Sequence, residues 1–196
     1  MLVSDIINIA KYGELQQLAV KDDNTAIITY INMGVLELYK RFNIGTKVEI
    51  VRTNPLISVY NLVNADIMKV LNVYDADGKE LVQPSVVDIE DYDLKQIGQS
   101  TYLFKEPKNE DIAFVYTSAP EWLTSTTDNV EIPMSMLEAL LHYIGYRGHG
   151  SLDGLINTEN NTHYMRFDKS CRQLTDTGYG EVTDMSKSTT QSKGFV

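Results

Sequence analysis

The chain has 196 residues, 43% hydrophobic and 22% charged, enough for one core or a core with an appendage; a soluble protein is expected, because no apolar run reaches membrane-spanning length. Lys and Arg total 17 against 27 Asp and Glu, and the net charge of −10 argues against a grip on nucleic acid built from clustered cations. Cys171 is the only cysteine, which excludes an intramolecular disulfide and a thiolate zinc cluster within one chain and fits synthesis in a reducing cytoplasm.

Met1 to Asp5 carries neither the basic residues nor the small-residue cleavage site of a secretory signal. From Val3 to about Tyr12, Ile6, Ile7, Ile9 and Ala10 recur at near-helical spacing, with Ser4 and Asp5 available as caps and Gly13 as the interruption. Leu15 and Leu18 suggest a further turn. Asp22-Asp23-Asn24 then precedes a helix from Thr25 to Phe42, whose apolar face is Ile27, Ile28, Ile31, Val35, Leu38, Tyr39 and Phe42. Lys40 and Arg41 complement the dipole at its end, and Gly34 in its middle points to close packing against a neighbour.

After Gly45 the period changes. "KVEIVRT", Lys47 to Thr53, alternates Val48 and Ile50 with a polar set as a half-buried strand does, and Asn54-Pro55 ends it. Leu56 to Leu62 forms a second extended run, and Ile67 to Tyr74 is β-rich before the turn Asp75-Ala76-Asp77-Gly78. "TYLFK", Thr101 to Lys105, and "IAFVYT", Ile112 to Thr117, flank Pro107 to Asp111 and read as an antiparallel hairpin. Pro120 to Asn129 is an irregular link. Ile132-Pro133 opens a helix with an apolar stripe (Met136, Leu137, Leu140, Leu141, Ile144) to about Arg147. A second helix, from Leu155 or Asn157 to Leu174, carries Tyr164, Phe167, Cys171 and Leu174 at spacings of three and four. From Thr175 onward, Tyr179, Met185 and Phe195 are isolated apolar points in a polar segment that orders only on a partner.

The expected class is α+β: a helical bundle formed by N- and C-terminal helices, a central small antiparallel β-sheet block and an extended C-terminal tail. The expected division is 1–45 and 120–174 helical, 46–119 β-rich, and 175–196 tail.

Chemical candidates are sparse. "LHYIGYRGHGS", Leu141 to Ser151, gathers two histidines, and His142 and His149 would share one side of a continuous helix. Gly145, Gly148 and Gly150 argue against that continuity, and no third ligand is in register, so helix-end residues are the better reading. Arg147 then sits in the last turn and the glycines reverse the chain. Ser151, His163 and Asp153 lack the context of a nucleophile and its base, and Ser151 or Asp153 suits an N-cap. Asp88, Glu90, Asp91 and Asp93 do not match a calcium loop and read as solvated charge. Cys171 reads as a small core residue, and Trp122 as an interface anchor or a packed loop aromatic. No catalytic, cofactor or metal residue is assigned, and no cofactor is expected.

The order of parts resembles the head-to-tail adaptor (connector, or head completion) proteins of tailed bacteriophages. "NTAIITYINMGVLELYKRFN", Asn24 to Asn43, is similar to their long first-half helix. Ile132 to Leu174 is similar to their final helical pair, with Tyr146, Arg147 and Asp153 at the corner, where Gly148 departs from the usual alanine, and with Tyr164 and Phe167 as spaced aromatics. The resemblance implies a non-enzymatic virion protein: a ring, commonly of twelve copies, under the portal and joined to a tail or nozzle protein, with genomic DNA passing through unbound. It also implies a C-terminal segment docked on the portal, for which Tyr179, Met185, Phe195 and Val196 are the candidate contacts, and a strand block facing the tail. An acidic ring would repel passing DNA, and Asp75 to Asp111, with ten acidic residues against four lysines, is a source of that field. The other readings are an acidic regulatory or DNA-mimic module and, more weakly, a hydrolase using His142, His149 or His163.

Overall fold

The computed structural model describes residues 1–64, 66–84, 92–98, 100–153 and 162–179, and of 151–153 the backbone alone. The chain divides into two compact units: Ile44–Ala119 holds every described strand, and the sequence on either side of it holds the helices.

The helical unit contains α1 (Val3–Tyr12), α2 (Asn24–Arg41), α3 (Leu137–Asp153) and α4 (Thr162–Asp176), with 3-10 turns at Ala19–Asp22 and Met134–Met136. Ser4 and Asp5 are not the caps of α1. The helix begins one residue after Leu2, and the link supplies its acceptors: Val3 N–H donates to Asp128 O at 3.0 Å and Ser4 N–H to Thr126 O at 2.9 Å. Asp128 shapes that link by accepting from Thr124 N and Ser125 N, both at 2.8 Å, and these two bonds hold its carboxyl below the usual carboxylate range.

Asp23 caps α2 by accepting from Ala26 N at 3.0 Å. The buried face of α2 includes Ile27, Ile31, Val35, Leu38 and Tyr39. Gly34 lies against α3: a Cβ there would fall 2.5 Å from Leu140 Cδ1 and 3.1 Å from Tyr143 Cδ1, so the close approach needs glycine. Asn32, 4% exposed, donates to Leu123 O at 2.8 Å and accepts from Leu123 N at 2.9 Å, tying α2 to the link.

The strand unit is two three-stranded antiparallel sheets. The first has β1 (Thr46–Arg52), β6 (Asp111–Ser118) and β3 (Ile67–Tyr74) in the order β1-β6-β3; the second has β2 (Val59–Asn61), β5 (Thr101–Phe104) and β4 (Leu94–Gln96) in the order β2-β5-β4. The expected hairpin between Thr101–Lys105 and Ile112–Thr117 is therefore absent, because the two strands belong to different sheets. Thr53 draws the intervening segment aside, its hydroxyl within 2.7 Å of Lys108 O and 3.0 Å of Glu110 O. Their aromatics then meet in the core rather than side by side: Phe104 and Phe114 are edge to face at 6.4 Å, and Tyr102 and Phe114 are 5.0 Å apart. Leu62, Ile67, Val73, Leu94, Ile112 and Tyr116 complete this core. Register shifts between Ile67 and Lys69 and between Val70 and Asn72 bend β3.

Candidate functional site

Contrary to the expectation from its glycines, α3 does not end at Arg147 but runs unbroken to Asp153. Each interior glycine costs about 1 kcal/mol of helix propensity, and close packing offsets that cost here. A Cβ on Gly145 would fall 2.8 Å from His163 Nδ1 and 3.1 Å from Glu14 Cβ. One on Gly148 would overlap Leu15 Cδ2 and come 3.3 Å from Leu18 Cδ1. The turn after α1 thus lies directly on α3. Ser151 and Asp153 are inside the helix rather than at an N-cap, and the described part of the next helix starts at Thr162.

The bare strip on α3 admits a polar cluster. His142 Nδ1 donates to Glu14 Oε1 at 3.0 Å, His163 Nδ1 lies 2.8 Å from Glu14 Oε2, and His149 Nε2 donates to the Glu14 carbonyl at 3.2 Å. The His149 and His163 rings stack with centroids 4.4 Å apart and planes 17° from parallel. Glu138, largely exposed, approaches His142 Nε2 at 3.7 Å. Burial pushes the His163 pKa down, opposed by the charge of Glu14 and reinforced by His149, Arg166 and His142. Among the described residues, no group of three or more His, Cys, Asp or Glu is arranged to hold a metal ion.

A second knot joins α2 to α4. Arg41 donates to Asp168 Oδ1 at 3.0 Å, Tyr164 Oη at 3.2 Å and Glu37 Oε1 at 3.3 Å, and its guanidinium sits 4.7 Å from the Phe167 ring centroid. Burial works against its charge, but Asp168 and its other neighbours hold the pKa above the ordinary arginine value. Aromatic rings continue the contact between α3 and α4: Tyr146 meets Tyr164 at 5.2 Å, and Tyr143 meets Phe167 at 5.1 Å. Cys171 is buried on the same face, and burial pushes its thiol up to about 11, so it is protonated and inert at neutral pH.

Of the residues singled out in the sequence, Tyr146 is buried, Arg147 half-buried, Gly148 packed and Asp153 the last residue of α3. Tyr179 is 40% exposed just beyond the end of α4, where its N–H donates to Leu174 O at 3.1 Å and Gly178 takes a φ of 100°. Met185, Phe195 and Val196, and Asp88, Glu90 and Asp91 of the acidic run, lie outside the described residues. Asp93 is exposed just before β4, and its carboxylate accepts from Val82 N at 2.9 Å. Trp122 is 62% exposed, so the packed-aromatic reading of it is wrong.

Sequence reasoning missed the two residues that organise these knots. Glu14 stands 128 positions from His142 and carries no local pattern, and Arg41 read only as a complement to the α2 dipole. The expectation that Val48 and Ile50 line the buried side of their strand is also wrong, because the structure leaves them on an open apolar sheet face. Val48 and Ile50, 60% and 69% exposed, lie opposite half-buried Val115 and Ala113, and beyond them the turn carries Leu56 at 91% exposure.

The family model described as SU10 adaptor protein matches residues 2–190. Among curated proteins, no match to the chain is found.

Proposed function

The chain belongs to the SU10 adaptor family, a family of phage head-to-tail adaptors, and on that premise we propose that it assembles as a ring beneath the portal, joins it to tail components and surrounds the path of the DNA. The match over nearly the whole length carries this reading. In it the protein is a non-enzymatic part of the virion at the head-to-tail junction, and no described helix is long and apolar enough to cross a membrane.

Physical features support the parts of the proposal. A cyclic ring joins two different faces of each subunit, and surfaces available for such contacts include the open sheet face at Val48 and Ile50 and the exposed Trp122. Twelve copies is the ring size proposed. The segment beginning at Tyr179, with Met185, Phe195 and Val196, is proposed to dock on the portal, where binding supplies the contacts that offset its ordering. In the same reading the strand unit is proposed to face the tail, Tyr146, Arg147, Gly148 and Asp153 are proposed to set how α3 packs against its neighbouring helices, and the net charge of −10 keeps DNA from adhering to the channel.

The test is co-assembly with purified portal, read by mass in solution and by imaging. The full chain should join the portal as a ring. Deleting 179–196, which spares α4 through Gly178, should abolish attachment and leave helix content nearly unchanged. A full chain that stays monomeric and never joins the portal would sink the ring proposal; a truncated chain that still attaches would sink tail docking alone.

A further inference from the structure

We propose that Glu14, His142, His149 and His163 form a pH-sensitive latch that holds α4 and the turn after α1 onto α3 when the imidazoles are neutral and loosens α4 in mild acid. The latch is a property of the helical unit itself and does not depend on portal attachment.

The geometry supplies three rings and one half-buried carboxylate. In the neutral state His142 Nδ1–H and His149 Nε2–H are both spent on Glu14, on its carboxylate and its carbonyl, and His163 Nδ1 lies 2.8 Å from the second carboxylate oxygen. Glu14 therefore belongs to the turn after α1, His142 and His149 to α3, and His163 to α4, so three segments meet in one polar cluster. A first proton on the rings meets Glu14 and, at His142, the solvated Glu138. Further protons have no second half-buried carboxylate to face. They charge two imidazoles stacked at 4.4 Å, with Arg166 adding positive charge on the α4 side. Like charges at that separation in a partly desolvated site repel, and moving α4 away relieves the repulsion.

The lowered pKa of His163 fixes the sign. The unfolded chain binds that proton more readily than the folded one, so the stabilising contribution is complete above the ordinary histidine value of about 6.5 and is lost as pH falls below it.

Cys171 provides a reporter on α4, being buried and the only thiol. The experiment follows its labelling by 4,4′-dithiodipyridine, which reacts with thiols in acid, in chelator-treated buffer at pH 7.5 and 5.5, each rate normalised to the unfolded chain. In the wild type the normalised rate should rise severalfold on acidification, because the folded chain takes up the His163 proton less readily than the unfolded one. In His163→Gln, which keeps a polar group and removes the titration, the rise should fall below about twofold. If that variant does not fold, His149→Gln should show the same flattening. A wild-type rate unchanged by pH, or an equal rise in both variants, would overturn the latch.

Discussion

Gly148 is seated directly beneath Leu15, in a space that a single added carbon would fill. Gly148→Ala gains about 1 kcal/mol of helix propensity but overfills a site whose other occupant is fully buried, at a cost of about 1–3 kcal/mol. The expected outcome is a net loss of about 1 kcal/mol in chemical denaturation. Pairing it with Leu15→Ala should cost less than the sum of the two single changes, and strict additivity would contradict the contact.

The same pair shows where sequence reading stops. Periodicity located α1, α2 and most of α3 and α4, because apolar residues repeat at helical spacing and their burial depends on a neighbouring element of any kind. Strand positions were legible in β3, β5 and β6 for the same reason, and in β1 by alternation alone, since its Val48 and Ile50 are exposed. What periodicity does not carry is partnership. Thr101–Phe104 and Asp111–Ser118 look like a hairpin because they are adjacent and both alternate, yet Tyr102 and Phe104 bury themselves only by facing Phe114 from another sheet. The glycines of α3 misled in a similar way. Their propensity favours a helix end, and only the residues lying on them, Glu14, Leu15 and His163, reveal why the helix continues. His142 and His149 stand close together in the sequence, but the residue that both touch, Glu14, through its carboxylate and its carbonyl respectively, is remote from them.

Asn32 makes two complementary bonds to one backbone unit, and an aspartate offers only one of them. Asn32→Asp should destabilise by about 3 kcal/mol near neutral pH, since a buried carboxylate would face the Leu123 carbonyl. Burial raises the folded-state pKa of such a carboxyl, so its protonated form can donate again. The deficit relative to wild type, measured by thermal unfolding, should shrink as pH falls from 7 towards 4.

Arg41 binds three side chains through a planar fork and stacks on a fourth. Arg41→Lys keeps the charge but loses the fork, and a stability loss of about 2 kcal/mol is expected, discounted from fully buried pairs because the side chain retains some solvent contact. Asp168→Asn should weaken the same join between α2 and α4. A double variant no worse than Arg41→Lys alone would locate most of the loss in that one ion pair.

Tyr102 is fully buried, and among the described residues its hydroxyl has no hydrogen-bond partner. Tyr102→Phe should raise stability by about 1 kcal/mol by removing an unpaired polar group. Burial pushes the phenol up to about 12, above its ordinary value of 10. The unfolded chain therefore ionises first, and the contribution is present below pH 10 and lost as pH rises towards 12. Alkaline unfolding of the phenylalanine variant should lack that part of the slope.

The strand unit enters and leaves by neighbouring doors: Thr46 is paired with Thr117, and Ser118 N–H donates to Gly45 O at 3.2 Å. To the rest of the chain, some seventy residues are thus an excursion that returns to where it began. Insertions of this kind are modular. One such excursion can be exchanged for another, or for a short linker, while the interrupted chain resumes nearby, so the surface offered by the strands can diverge independently of the helices on either side of them.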